Sequence, residues 1–270
     1  MRKDFKVSVR EWIAGPVQSR DPLRPLSDEA FSLCLYPYPF DFGFVYFFSA
    51  YHCVEVGLFL CYTNKNRNQA KILQRIIMIK LKYGNTNTFY IPGASGGLLV
   101  DTDYAGTLPA FYKAIKQQNI KIKDIAYVLA THYHPDHIGL VGQLMEQGVK
   151  LLLVDVQKDY VHCSDYIFER DNLPYLPIRE ADATVISCEE SRDFLDRIGI
   201  SGEIICTPSH SKDSVSLLLD DGSCFVGDLE PLEYMSSYEN NSALHRDWER
   251  ILSCHAKRIL YAHRPEQRSD

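Results

Sequence analysis

The sequence predicts an α/β chain in which mixed β-sheets are covered by helices. Three observations predict it. Apolar runs of strand length alternate with stretches of helical periodicity. Turn chemistry of the hairpin kind, Gly84-Asn85 and Asp220-Asp221-Gly222, occurs in both halves. Hairpins and helical crossovers in one chain give mixed sheets rather than an all-parallel, doubly wound one.

The elements follow in order from residue 76. Residues 76–82 and 87–92 are predicted as two strands around the Gly84-Asn85 turn. After the turn Ala94-Ser95-Gly96-Gly97, Leu98-Leu99-Val100 forms a third strand ending on Asp101. A helix is predicted near 107–119, where Leu108, Phe111, Tyr112 and Ile115 share a face. Residues 125–130 form a strand, Asp136 to about Gln147 a helix, and 150–154 another strand. Strands follow at 184–187, 203–206, 214–219, 223–227 and 258–262, with helices at 189–198 and 243–254. Residues 164–182 contain two prolines and several aromatics without clear periodicity. Two readings stand side by side, a substrate-side loop or lid and a packed connection.

The first 77 residues read differently. They carry 10 Lys and Arg against 7 Asp and Glu, or +3, within a chain of net charge −6, so residues 78–270 carry −9. Phe42 to Tyr62 is 21 residues long and mostly apolar, enough to span a bilayer, but His52 and Glu55 make insertion costly. A membrane anchor, an accessory segment covering the domain, and a poorly ordered extension outside the functional protein are the readings of 1–77. The last is favoured, including a start assigned too early, with Met78 opening the functional domain 78–270. Eight dispersed cysteines without Cys-x-x-Cys spacing read as reduced thiols of a cytoplasmic protein. The acidic balance carries no nucleic-acid signature and fits a small-molecule substrate. Oligomeric state is not encoded in any of these patterns.

The densest chemistry lies in Thr131-His132-Tyr133-His134-Pro135-Asp136-His137, with three histidines and one aspartate in six positions. Imidazole and carboxylate are ligands of zinc, iron and manganese. His132 and His134 are two apart and point the same way in extended backbone. Pro135 disfavours helix at His134 and can open a helical turn, so Asp136 and His137 aim elsewhere. One loop can thus face two adjacent metal positions. His210, Asp228 and His263 each follow a predicted strand, where loops gather on one edge of a sandwich.

The ordered set Asp101, His132-x-His134-x-Asp136-His137, His210, Asp228 and His263 resembles the metallo-β-lactamase-fold hydrolase superfamily, with a glyoxalase II-like motif set. The resemblance spans about 163 of the 270 residues and leaves out 1–77. It implies a four-layer αββα sandwich with a dinuclear metal site, two Zn²⁺ per chain with iron or manganese as alternatives. Carried over by position, His132, His134 and His210 hold one metal, Asp136, His137 and His263 the other, and Asp228 bridges both. Asp101 would orient the metal loop rather than bind. Ser209 and Ser211 stand where the family pattern has Gly and Thr, and Asp228 stands where true zinc β-lactamases carry Cys or Ser. The implied activity is a metallo-hydrolase acting on a small ester, thioester, lactone or phosphodiester, with Asp136 as both ligand and proton acceptor. The alternatives are a mononuclear-iron persulfide dioxygenase on the same ligands and a non-catalytic binding module. Flavin-linked diiron relatives are disfavoured, because His134 stands where they carry glutamate. Tyr133, within the metal loop, and Tyr234 and Tyr238, after Asp228, are the candidate substrate-side residues. For the last two a packing role is the favoured reading.

Overall fold

The computed structural model describes residues 78–238 and 241–269. Readings that concern residues 1–77, the 42–62 stretch included, lie outside the described residues.

Among the described residues eleven strands form two sheets, and the first is complete before the second starts. The first sheet has the order β1-β2-β3-β4-β5-β6. Its strands are β1 (Ile79–Leu81), β2 (Thr88–Ile91), β3 (Gly97–Val100), β4 (Ile125–Leu129), β5 (Lys150–Val154) and β6 (Thr184–Ile186). The β1–β2 and β2–β3 pairs are antiparallel, and β3 through β6 run parallel. The second sheet has β7 (Gly202–Cys206), β8 (Val215–Leu219), β9 (Ser223–Gly227), β10 (Arg258–Tyr261) and β11 (Gln267–Arg268). Its order is β11-β10-β9-β8-β7, with β9–β10 the parallel pair. Both sheets are therefore mixed, as the hairpin signals predict.

Strand periodicity sorts the side chains into layers. In β2, β3 and β5, Phe89, Ile91, Leu98, Val100, Leu152 and Val154 face the second sheet, and they meet Val215, Leu217, Phe225 and Leu260 there. The intervening Tyr90, Leu99, Leu151 and Leu153 face outward onto helices α1 (Leu108–Gln117), α2 (Pro135–Ile138), α3 (Val141–Glu146) and α4 (Asp165–Arg170). Helix α5 (Ser191–Ile198) adds Phe194, Leu195 and Ile198 to the inter-sheet core. On the far side, Leu218, Cys224 and Val226 pack against Leu244, Trp248 and Ile251 of α6 (Ser242–Ser253). The result is the αββα sandwich.

Three elements differ from the sequence expectation. The single helix predicted from Asp136 to Gln147 is split into α2 and α3. Thr102 donates both its N–H and its hydroxyl to the His137 carbonyl, each at 2.9 Å, so that carbonyl leaves the helical ladder. The break falls at Gly139, where a Cβ would lie 2.1 Å from the Ala105 nitrogen, so only glycine permits this approach. The segment 164–182 contains α4 and is a packed connection rather than a lid. Phe168 and Ile178 are buried in the helical core, and the Phe168 and Tyr175 rings stack at 4.0 Å. The two-residue β11 lacks a sequence signal of its own and is found by pairing with β10.

Candidate metal centre

The site assembles on the edge where the ends of β3, β4, β7, β9 and β10 meet. Asp101 follows β3 and holds a left-handed φ of 57°. Such backbone is costly for a residue other than glycine, and here side-chain bonds fix it. Asp101 Oδ1 accepts from the Thr131 N–H at 2.7 Å, and Oδ2 accepts from the Thr131 hydroxyl at 2.9 Å. Asp101 Oδ2 also lies 3.2 Å from His137 Nδ1, which turns Nε2 of that ring toward the site. Thr131 ties the two sheets as well, because its carbonyl accepts from the Val215 N–H at 2.8 Å. Gly227 passes so close that a Cβ would lie 2.4 Å from Thr131 Oγ1.

The chain bends at Thr131 and His132 and is extended at His134, which has φ −72° and ψ 153°. His132 and His134 meet, with His132 Nε2 and His134 Nδ1 2.9 Å apart. The intervening Tyr133 goes the other way. It is 2% exposed, packed in the helical core, so it is not a substrate-side residue. This corrects the expectation that places Tyr133 at the mouth. The Tyr133 N–H is held by Asp213 Oδ2 at 2.7 Å and its carbonyl by Ser164 Oγ at 2.6 Å.

The other ligand candidates arrive on separate loops. His210 Nε2 lies 3.3 Å from His134 Nδ1. Its loop is fastened by the Ser209 N–H donating to Asp247 Oδ2 at 2.8 Å, and Ser209 does not take a positive φ, so replacing the family glycine brings no left-handed strain. His263 follows β10, with Nδ1 3.3 Å from the Asn85 carbonyl. Asn87 clamps this loop, its side-chain amide donating to the Tyr261 carbonyl at 2.8 Å and the Arg264 carbonyl at 2.9 Å. On the other side of the same turn, the Thr86 hydroxyl donates to the Asp136 carbonyl at 2.7 Å.

All seven predicted ligand residues converge. His132, His134, His210 and Asp228 form one group and Asp136, His137 and His263 a second, each with its candidate donor atoms within 4.8 Å of one another. Asp228 reaches both. Its Oδ2 is 3.9 Å from both His132 Nε2 and His210 Nε2 and 3.5 Å from His137 Nε2, and its Oδ1 is 3.3 Å from His263 Nε2. Asp136 Oδ2 is 3.1 Å from His263 Nε2.

The electrostatics are those of a cation site. Burial, reinforced by the surrounding imidazoles, holds His132 well below the ordinary histidine value, and burial also lowers His210. Both rings therefore present lone pairs. Burial opposes ionisation of Asp136, but the bond to His263 prevails and lowers it to about 2. At Asp228 burial is likewise outweighed, by His137 first, and the carboxyl is lowered. His137 would be lowered by burial, yet the Asp101 and Asp228 carboxylates raise it to about 10. Buried His137 Nε2 and Asp228 Oδ1 have no hydrogen-bond partner among the described residues. Orphaned donors and acceptors of this kind call for an explanation, and a cation between them is the group that the donor set fits.

Beside this cluster lies a cavity of about 200 Å³ lined by Glu230, Pro231, Tyr261 and Arg264 together with His210 and His263. Tyr234 stands 40% exposed, with the Arg264 guanidinium 5.0 Å from its ring centre. Tyr238 ends a 3₁₀ segment, Leu232–Tyr238, and its side chain lies outside the described residues. Asn87, Asp213 and Asp247 carry no motif spacing. Their partners are 38 or more residues away, so no local signal marks them.

The chain is similar to known proteins. The curated Beta-lactamase-like protein 2 homolog of Drosophila melanogaster is 28% identical over 182 residues. The match covers 66% of this chain and 58% of that relative's length. Two solved structures show the same fold. The BLEG-1 B3 metallo-beta-lactamase matches with a TM-score of 0.55 at 17% identity, covering 71% of this chain and 94% of its own. TTHA1623, titled as in a di-iron-bound form, matches with a TM-score of 0.53 at 20% identity, covering 72% and 94%. The family model of the metallo-beta-lactamase superfamily matches residues 81–263, from the end of β1 to the last histidine of the cluster, and the chain belongs to that superfamily.

Proposed function

We propose that residues 78–270 are a metal-dependent hydrolase of small esters, thioesters, lactones or phosphodiesters. His132, His134 and His210 would hold one divalent ion, Asp136, His137 and His263 a second, and Asp228 both. The observation that carries this reading is Asp228, whose two oxygens face the two histidine groups while buried Oδ1 accepts no hydrogen bond among the described residues. When bound, such a pair supplies an acidified water as nucleophile and polarises the oxygen of the scissile group.

The chain's own residues supply the rest. The Asp101 carboxylate, 3.2 Å from His137 Nδ1, would hold a proton on that nitrogen and leave Nε2 for the ion. Asp136, a carboxylate 32% exposed and facing His263, can take the proton of the attacking water at Oδ2. Arg264 lines the cavity with His263, where it can orient the substrate, and the Tyr234 ring lies against its guanidinium. Buried Asp247 and half-buried Asn87 hold the His210 and His263 loops in place.

Elemental analysis of the purified protein, beside His132→Ala and Asp228→Ala variants, tests the reading. Two zinc, manganese or iron ions per chain, reduced in both variants, with turnover in an ester, thioester and phosphodiester screen, is the expected result. The di-iron title of the TTHA1623 structure makes iron a metal to measure beside zinc. A single iron per chain, with oxygen consumption on persulfides, would replace the hydrolase by the dioxygenase reading. No bound metal after reconstitution would leave a binding module. Among the described residues no helix is long and apolar enough to cross a membrane.

A further inference from the structure

Cys188 and Cys206 stand outside the metal cluster, yet their sulfurs are 3.1 Å apart. Their placement in the fold is specific. Cys188 lies two residues past β6, the edge strand of the first sheet. Cys206 is the last residue of β7, the edge strand of the second sheet, and leads into the loop that carries His210. The backbone around the pair is already tied across the same gap. The Ser191 hydroxyl donates to the Cys188 carbonyl at 2.5 Å and accepts from the Ile204 N–H at 2.9 Å.

We propose that Cys188 and Cys206 form a modification site at which hydrogen peroxide, or a hydroperoxide of similar size, converts the two thiols into a disulfide joining the edges of the two sheets. Both cysteines are half-buried, which admits a small oxidant more readily than a bulky one, whereas Cys224 is fully buried. A disulfide bond is about 2.05 Å long, so the sulfurs must close by roughly 1 Å. The hydrogen bond shared with Cys188 lowers the Cys206 thiol to about 7 against the opposing effect of burial, with Arg250 adding to it. In the proposed reaction Cys206 is the attacking partner, because the thiolate is the nucleophile.

The chemistry balances. Cys206 Sγ attacks one peroxide oxygen, the O–O bond breaks, hydroxide leaves, and Cys206 becomes a sulfenic acid. Cys188 Sγ then attacks Cys206 Sγ. The S–O bond breaks, and the departing hydroxide leaves as water with the Cys188 proton. The two thiols lose two electrons, and the peroxide is reduced to two waters. None of these steps involves the metal cluster, so the site is independent of the hydrolase reading.

The test treats full-length, metal-loaded protein with hydrogen peroxide, blocks the remaining thiols with N-ethylmaleimide, and maps peptides without reduction. The expected result is a Cys188–Cys206 linked peptide, lighter by two hydrogens, that disappears on adding dithiothreitol. It should form before the exposed Cys163 and Cys254 are modified. In Cys188→Ser, dimedone should capture a sulfenic acid on Cys206, and Cys254→Ser should leave the linkage unchanged. Should Cys188→Ser fold poorly, the wild-type peptide map decides alone. Both thiols still alkylated after peroxide, or sulfinic acid on Cys206 without the linked peptide, would overturn the proposal. Metal content and turnover, measured on the same samples, report separately on the hydrolase reading.

Discussion

Asp228 bears the largest share of the site, because its two oxygens serve both histidine groups. Asp228→Ala is expected to reduce the metal content below one ion per chain, read by elemental analysis, while far-UV circular dichroism stays unchanged. Asp101 acts at one remove. Asp101→Asn keeps a residue that tolerates left-handed backbone but removes the negative charge facing His137 Nδ1. The loss of such a supporting carboxylate is expected to cost about 10–100-fold in metal affinity, measured by competition with a chromogenic chelator. At this scale the sequence was legible wherever chemistry lies in short spacing. His132, His134, Asp136 and His137 announce themselves in one loop. Tyr133 shows the reverse case, since it stands between the two histidines yet is buried in the core. Asn87 and Asp247 were not legible, because what they hold is far along the chain.

Among the elements, the turn between β1 and β2 does more than join two strands. Thr86 holds the Asp136 carbonyl, and Asn87 holds the loop of His263. Asn87→Ala is expected to weaken the Asp136–His137–His263 position first, leaving about one ion per chain where the wild type holds two. Two lost hydrogen bonds should also cost about 1–3 kcal/mol in urea unfolding. Helix α6 braces the opposite side. Trp248 is fully buried, and its indole N–H donates to the Glu230 carbonyl at 2.9 Å, beside the cavity. Trp248→Ala is expected to destabilise the protein by about 3–5 kcal/mol, seen as a lower urea midpoint. Strands were the most legible elements, because alternation in β2, β3 and β5 marks both of their faces. The split between α2 and α3 was not, since the group that interrupts the ladder, Thr102, belongs to a different part of the chain. Helix α4 carries no legible period, because Phe168 is its one buried side chain.

In the molecule as a whole, the ligand candidates come from loops of both sheets, so bound metal would cross-link the sandwich. An ion present at about a thousand times its dissociation constant adds about 4 kcal/mol to the folded state. For a domain of this size each kcal/mol moves the melting temperature by about 2–4 °C. Stripping with a chelator is therefore expected to lower the melting temperature by on the order of 10 °C. Restoring the metal should restore it, and differential scanning calorimetry reads both.

The order in which the sheets are built has one more consequence. Among the described residues every strand through β6 belongs to the first sheet, and every strand from β7 onward to the second. His132, His134, Asp136 and His137 lie before that boundary, while His210, Asp228 and His263 lie after it. A chain severed between β6 and α5 would leave each fragment with an incomplete ligand set for either ion. The fragments would be joined by their shared apolar face and, in the presence of divalent cation, by coordination bonds as well. Fused to the halves of a split fluorophore, such fragments would brighten with metal and dim with chelator, making the severed protein an ion sensor.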